Sequence, residues 1–111
     1  MRKDDTAALR VTTETEGPVT VLRLAGELDL ATAGHLREHL RHALRQGSDL
    51  RHLVVDVAGL EFLDVTGLNA LLEARPHLAS VGARLSLRRP RPMVRRMLAL
   101  LGLEHELRIE P

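Results

Sequence analysis

The run HLVVDV, residues 52–57, decides the fold class of this chain. Four of its six residues are apolar and three are β-branched, so the run predicts a short strand that is covered on both faces. A turn at Ala58-Gly59 and the short segment LEFL, residues 60–63, follow this strand. The stretch LDVTGLNALL, residues 63–72, then opens a helix. A covered strand that leads into a helix is typical of an α/β domain.

Upstream of this strand, the sequence predicts a hairpin followed by a helix. The hairpin strands are expected at Ala8–Thr15 and Val19–Gly26. Thr32 can cap a helix that runs to about Gln46, and Gly47 offers a left-handed stop.

Downstream, two further helical patterns and two strands follow. A helical stripe from about Val65 to Val81 contains Pro76, which we expect to kink or split the helix because proline has no backbone donor. A strand at Ala83–Arg88, a helix at about Met93–Leu101 and a last short strand in ELRI, residues 106–109, complete the pattern. The order ββαβαβαβ predicts an α/β domain with a mixed, mostly parallel sheet flanked by helices.

Length and composition predict one domain. The chain has 111 residues, within the range of about 50–250 that single domains span. Its hydrophobic content of 44% can supply a core, and with one Phe and neither Tyr nor Trp that core must be aliphatic. We expect a flexible polar tail at residues 1–5 and the domain at residues 6–111.

Charge and cysteine content exclude several classes of function. A formal net charge of +1 provides no strong field toward nucleic acid or an anionic membrane. The absence of cysteine excludes disulfides, thiolate catalysis and cysteine-based metal sites. No signal peptide is recognisable, and no run approaches the roughly 20 apolar residues that span a bilayer. We therefore expect a cytoplasmic protein that binds no nucleic acid and does not insert into a membrane.

The residues before the second helix, Asp64 to Gly67, allow two interpretations. Asp64 or Thr66 could simply be the N-cap, a role that contributes about 1 kcal/mol. Alternatively, Thr66 is a modification site, because loops at the carboxyl edge of a parallel sheet are where α/β domains present their sites. A phosphate there would meet free backbone N–H groups and the positive end of the helix dipole. Gly67 would let another backbone or an active site approach closely.

Two other patterns suggest binding sites but are incomplete. His35, His39 and His42 share one helix face, yet no carboxylate or fourth ligand stands at metal-site spacing, so we predict a solvated stripe and no metal. The segment LRRPRPMVRR, residues 87–96, has five arginines but no stacking aromatic residue, which favours docking of an acidic protein over nucleic-acid binding. No phosphate loop, nucleophile elbow or acid–base pair is assembled, so we predict no enzymatic activity and no cofactor.

Three stretches, which together cover most of the chain, resemble the STAS-domain family, in particular the single-domain bacterial anti-sigma factor antagonists. VTVLRLAGELDLATAGHLREHL, residues 19–40, is similar to the family's strand, Gly-Glu-Leu-Asp turn and first helix. LRHLVVDVAGLEFLDVTGLNALLEA, residues 50–74, resembles its central strand and the Asp-x-Ser/Thr-Gly-Leu phosphorylation loop. GARLSLRRPRPMVRRMLALLGLEHELRI, residues 82–109, is similar to its closing strand–helix–strand. The resemblance implies a STAS-like single domain.

The resemblance also implies a regulatory binding protein. Such an antagonist binds an anti-sigma factor, itself a serine/threonine kinase, and releases it when the loop hydroxyl is phosphorylated, so that sigma-factor-dependent transcription is regulated. A serine/threonine phosphatase restores the unmodified form, and ATP and Mg²⁺ belong to the kinase. The acceptor position, directly before the motif glycine, falls on Thr66. The partner-binding residues implied are Glu27, Asp29, Asp64, Val65, Gly67, Leu68 and Asn69.

The resemblance leaves one rival function open, a STAS subunit of a membrane lipid-transport complex that docks on its ATPase. In transporter-associated forms the hydroxyl often stands one residue earlier, where this chain has Val65. The chain also departs from the family pattern at Asn69, where a second loop glycine is frequent, and at Pro76, in a helix that members usually run through. Its acceptor is threonine where many antagonists have serine.

Overall fold

The computed structural model describes residues 8–46 and 49–110, so the predicted tail at residues 1–5 and the predicted helix stop at Gly47 lie outside the described residues. The elements, in chain order, are β1 (Leu9–Glu16), β2 (Val19–Leu28), α1 (Ala33–Gln46), β3 (His52–Leu63), α2 (Val65–Leu72), α3 (Ala74–Ser80), β4 (Arg84–Arg88), α4 (Pro92–Leu100) and β5 (Arg108–Glu110). The order ββαβααβαβ agrees with the prediction, except that the second helical stripe forms two helices.

The five strands form one mixed sheet in the order β1-β2-β3-β4-β5. β1 is antiparallel to β2, and the remaining neighbours are parallel, as the sequence predicted. Buried residues from α1, α2, α3 and α4, among them Leu36, Leu68, Leu78 and Leu98, belong to one hydrophobic cluster. These four helices therefore cover the same face of the sheet. Buried Val54 lies outside this cluster and alternates with Leu53 and Val55, so it points to the other face.

The prediction that β3 ends at Val57 and gives way to a turn is wrong. The strand continues to Leu63, and its register against β2 shifts twice, which marks two β-bulges. Gly59 permits this path because a Cβ there would lie only 2.8 Å from the Leu24 carbonyl oxygen. The glycine that suggested a turn is thus needed for close packing of β3 against β2.

Pro76 splits the second helical stripe, as predicted. α2 ends at Leu72, Glu73 forms the junction, and α3 begins at Ala74. Pro76 is the third residue of α3, in the first turn, where its missing N–H has no helical acceptor to lose. Within the part of the chain that the structure describes, no helix is both long enough and apolar enough to cross a membrane.

Candidate functional site at the carboxyl edge of the sheet

The ends of β2 and β3 bring the predicted site residues together. Glu27 pairs in register with Phe62, and Leu28 pairs with Leu63. The Asp64 N–H donates to the Leu28 carbonyl oxygen at 3.3 Å. Because the two strands are parallel, the turn after β2 and the start of α2 emerge at the same edge of the sheet, the carboxyl edge.

Asp64, and not Thr66, caps α2. Its backbone is extended, with φ −116° and ψ −179°, and its carboxylate accepts the Gly67 N–H at 2.8 Å. Its carbonyl oxygen accepts the Leu68 N–H at 3.0 Å, which is the first helical hydrogen bond. Thr66 lies inside the first turn and is half-exposed, and its hydroxyl forms no hydrogen bond with any residue that the structure describes. The cap therefore leaves the Thr66 hydroxyl available for other chemistry.

Gly67 and Leu68 pack α2 against the end of β2 and the core. A Cβ on Gly67 would lie 2.5 Å from the Leu28 carbonyl oxygen and 2.7 Å from Leu28 Cγ, so only glycine fits between α2 and the end of β2. Leu68 is fully buried in the core. The prediction that both residues contact a partner needs correction, since Gly67 is approached by the chain's own backbone and Leu68 has no exposed surface.

A second turn fixes the end of β2. Asp29 accepts the N–H groups of Ala31 and Thr32 at 3.0 and 3.2 Å through one carboxylate oxygen. The Thr32 hydroxyl donates to the Glu27 carbonyl oxygen at 2.9 Å and accepts the Asp29 N–H at 3.0 Å. Thr32 does precede α1, as predicted, but its side chain stabilises this turn and does not cap the helix. The network orders the loop that carries Leu30.

Apolar side chains stand exposed between these two turns. Leu30 is 76% exposed, Val65 51% and Phe62 46%. Phe62 pairs in register with Glu27, and Val65 directly precedes Thr66. We call this set the carboxyl-edge surface; its members are Glu27, Asp29, Leu30, Glu61, Phe62, Asp64, Val65, Thr66 and Asn69.

The carboxyl-edge surface is acidic. None of its four carboxylates, Glu27, Asp29, Glu61 and Asp64, forms an ion pair with a residue in the described ranges. As defined, the surface contains no cationic side chain. Its carboxylates therefore have no direct ion-pair partner in the described ranges, and its apolar centre is suited to burial against another protein.

Sequence reasoning missed Leu30 and Phe62. Because the sequence predicted a turn at Ala58-Gly59, Phe62 was not assigned to β3. In the structure, Phe62 follows the second bulge of β3, where it pairs with Glu27 and its side chain is exposed. Leu30 follows a Gly-Glu-Leu-Asp turn whose hydrogen bonds were not foreseen. The chain's single phenylalanine, placed just before the motif, was the one available signal.

The histidines of α1 contact one another along the helix. Among the described residues, no group of three or more histidine, aspartate or glutamate side chains is placed to hold a metal ion. His35 and His39 meet edge to face with their ring centroids 4.8 Å apart, and His39 Nδ1 lies 3.1 Å from the His35 carbonyl oxygen. These contacts lie within one helix and organise its surface.

The arginine-rich segment is used in part by the fold itself. Arg88 pairs with Glu110 at 3.1 Å, and Arg89 pairs with the buried carboxylate of Asp56. Arg91 donates to the Ala58 carbonyl oxygen at 2.8 Å. Burial alone would raise the pKa of Asp56, but hydrogen bonds from Arg89 and the Ala58 N–H and the nearby positive charge lower it below its usual value. The contacts of Arg89 and Arg91 fasten the β4–α4 loop to the first bulge of β3, whereas Arg88–Glu110 joins β4 to β5.

A serine, a histidine and a glutamate also meet on the face of the sheet that bears no helix. His52 Nε2 hydrogen-bonds the buried Ser86 hydroxyl, and the same nitrogen lies 3.6 Å from Glu110. A catalytic triad requires the serine and the acid on opposite nitrogens of the imidazole. The arrangement therefore lacks triad geometry.

Comparisons with known proteins agree with this architecture. The family model described as Mlab, STAS domain, matches residues 11–110. An anti-sigma F factor antagonist of Paenibacillus polymyxa is 30% identical over 95 residues, which cover 86% of this chain and 80% of that protein.

Solved structures show the same fold. The anti-sigma factor antagonist SpoIIAA in its unphosphorylated form superposes with a TM-score of 0.76 at 26% identity, covering 94% of this chain and 89% of that one. The Bacillus cell fate determinant SpoIIAA in its phosphorylated form has a TM-score of 0.69 at 24% identity, over 94% of this chain and 92% of that one. The family model and the relative together establish that this chain belongs to the STAS-domain family.

Proposed function

We propose that this protein is an anti-sigma factor antagonist that binds an anti-sigma kinase through the carboxyl-edge surface and releases it when Thr66 is phosphorylated. The observation that carries the proposal is the Thr66 hydroxyl, which the Asp64 cap leaves unused beside exposed apolar side chains. The name of the Paenibacillus polymyxa relative supports the role of antagonist. The two forms of SpoIIAA support a switch by phosphorylation.

The exposed apolar side chains supply the binding energy in this proposal. Burying the exposed parts of Leu30, Phe62 and Val65 contributes about 1 kcal/mol each. The surrounding carboxylates require a complementary partner, an apolar pocket with a basic rim. A neutral Thr66 hydroxyl can be buried there if it finds one hydrogen bond.

Phosphorylation reverses this balance. A phosphate adds about 1.5 to 2 negative charges at neutral pH to a surface that already has four unpaired carboxylates. The Gly67 N–H already donates to the Asp64 carboxylate, so this donor at the start of α2 is not free to bind a phosphate. A penalty of about 3 kcal/mol would weaken the complex more than a hundredfold. The kinase would supply ATP and Mg²⁺, a serine/threonine phosphatase would reverse the step, and the exchange would take place in the cytoplasm.

The modification is tested with the cognate kinase. The protein is incubated with the kinase and MgATP, and the phosphate is located by mass spectrometry. We expect phosphate on Thr66 and none in Thr66→Ala, while Thr12→Ala, which removes an exposed threonine from β1, is modified like the wild type. Isothermal titration calorimetry should show Thr66→Glu binding the kinase at least about a hundredfold more weakly. An unmodified Thr66, or full affinity of Thr66→Glu, would refute the switch.

The docking surface is tested with a matched pair of leucines. Leu30 and Leu100 are 76% and 79% exposed, but only Leu30 belongs to the carboxyl-edge surface. We expect Leu30→Ala to weaken kinase binding about tenfold and Leu100→Ala to change it less than about twofold. Equal effects would place the interface elsewhere. Copurification of an ATPase–permease complex, in place of a kinase, would support the rival lipid-transport function.

A further inference from the structure

A second candidate site lies at the amino ends of the parallel strands, whereas Thr66 lies at their carboxyl ends. An open cleft of about 460 Å³ is bounded by α3, the start of β4 and the segment before β5. Thr66 follows the carboxyl end of β3, whereas Arg84 is the first residue of the parallel strand β4. The cleft is therefore separate from the carboxyl-edge surface, and its function does not depend on the proposed kinase switch.

The cleft exists because β5 is short. β5 pairs with Ser86–Arg88 of β4, so the outer edge of Arg84 and Leu85 has no strand neighbour among the described residues. The chain before β5 turns away instead, with the N–H of Glu106 donating to the Leu103 carbonyl oxygen at 3.0 Å. Arg84 and Leu85 line the cleft along this open edge of β4.

One wall of the cleft is apolar. It is formed by Pro76, Leu78 and Ala79 of α3 together with Ala83 and Leu85. The chain's one phenylalanine lies elsewhere and it has no Tyr or Trp, so the wall offers no large aromatic ring on which a nucleobase could stack. It suits an aliphatic group.

The other wall is positively charged. Three arginines and one glutamate line the cleft, so positive charges exceed negative ones by two. Glu106 is already paired with Arg75 at 2.7 Å. Arg84 and Arg108 make no side-chain hydrogen bond or ion pair with any residue in the ranges that the structure covers. Two cations thus stand at the cleft without an acidic partner.

Arg84 and Arg108 are placed to act on one anion. Arg108 pairs in register with Ser86, two residues after Arg84, so the two side chains leave the same face of neighbouring strands. Because Ser86 pairs with Val54, this is the face that bears no helix, and both arginines line the cleft at the open edge of β4. Burial is the main cause that lowers the pKa of His52, and the positive charges of Arg84, Arg88 and Arg108 add to it against the opposing effect of Glu110.

We propose that the cleft binds an aliphatic carboxylic acid, with its hydrocarbon body against Pro76, Ala79 and Ala83 and its carboxylate between Arg84 and Arg108. The two arginines supply the charge-assisted hydrogen bonds that carboxylates prefer. The cleft volume falls within the roughly 300–1,000 Å³ of small-molecule sites.

The full chain is titrated with sodium octanoate while amide chemical shifts are followed by NMR. We expect a Kd of about 1 mM or tighter, with the largest shifts at Ala79, Ala83 and Leu85. Octanol has the chain without the charge, and acetate has the charge without the chain. Both should bind at least about tenfold more weakly, because each lacks one half of the recognition. Equal binding of octanol, or shifts centred on the carboxyl-edge surface, would overturn the proposal.

Matched variants locate the charge. Arg84→Gln/Arg108→Gln should weaken octanoate binding at least about tenfold, whereas Arg95→Gln/Arg96→Gln, which removes two exposed arginines from α4, should leave it within about twofold. An equal loss in both would mean a non-specific charge effect. If the first variant does not fold, Ala79→Leu tests the site by filling it while keeping the arginines. Unchanged octanoate affinity in Ala79→Leu would also overturn the proposal.

Discussion

Replacing Gly67 by alanine tests how the candidate site is built. A Cβ at this position would lie 2.5 Å from the Leu28 carbonyl oxygen, 2.7 Å from Leu28 Cγ and 2.9 Å from the Leu28 carbonyl carbon. Two of these atoms belong to the backbone of β2, which is held in register with β3. The contact cannot be relieved by rotating a side chain. α2 must move away from the end of β2.

The magnitude follows from two opposing effects. Overpacking in a well-packed core costs about 1–3 kcal/mol, and clashes with backbone belong at the upper end of that range. Alanine is favoured over glycine within a helix by up to about 1 kcal/mol. The steric effect is larger, so we expect Gly67→Ala to lower the free energy of unfolding by about 2 kcal/mol. The same shift moves Val65 and Thr66 and should weaken binding of the anti-sigma kinase.

Gly34 provides the matched control. It also lies in a helix, but a Cβ there would have no neighbour within 4 Å. Gly34→Ala should therefore stabilise the protein by about 0.5–1 kcal/mol through helix propensity alone. Urea unfolding at 25 °C, followed by far-ultraviolet circular dichroism, measures both variants. If Gly67→Ala were as stable as the wild type while Gly34→Ala behaved as expected, the argument from close packing would fail.

Three further predictions concern single side chains. Asp64→Ala should lower the free energy of unfolding by about 1 kcal/mol, measured by urea unfolding, because it removes the cap of α2. The pKa of His52 is lowered, so the folded state binds a proton less readily than the unfolded chain, and stability should fall as the pH drops through 6.5. His52→Gln should reduce this loss of stability between pH 7.5 and 5.5. An unchanged loss in the variant would contradict the prediction. Asp56→Asn should cost about 1 kcal/mol near pH 7, since Arg89 is largely exposed and can be hydrated. That difference should shrink as the pH falls below 3.8 and through the lowered pKa of Asp56, and urea unfolding at pH 7 and pH 3 would show whether it does.

The elements that the sequence predicted well are those with a local cause. Pro76 divides the second helical stripe because proline cannot donate within a helix, and this effect needs no tertiary contact. The hairpin of β1 and β2 and the alternation of Leu85 and Leu87 in β4 follow from short-range patterns in the same way.

The second half of β3 could not be predicted because its cause is non-local. Ala58-Gly59 has the composition of a turn, and only the approach of Leu24 on β2 shows that the glycine is needed for packing within a strand. The exposure of Phe62 depends on the same bulged pairing. The alternation of apolar and polar residues along one strand does not show where its pairing with a neighbouring strand shifts in register.

The cap of α2 shows a different limit of sequence reasoning. Asp64 and Thr66 are both common N-cap residues, and their order alone did not decide between them. The choice is made by the Asp64 N–H bond to the Leu28 carbonyl oxygen, which fixes Asp64 in an extended conformation just before the first turn. Thr66 then falls inside the helix.

These contacts show which residues hold the start of α2 and which do not. At the start of α2, Gly67 and Leu68 are buried, Val65 and Asn69 are exposed, and Thr66 is half-exposed. The buried pair and the Asp64 cap carry the structural role. Thr66 contributes no hydrogen bond within the described chain, so a phosphate on it breaks no internal contact there and instead adds charge to the surface that a partner must cover. The stabilising side chains are separate from Thr66 within five consecutive residues, and this separation would allow the same segment to be both a helix start and the proposed switch.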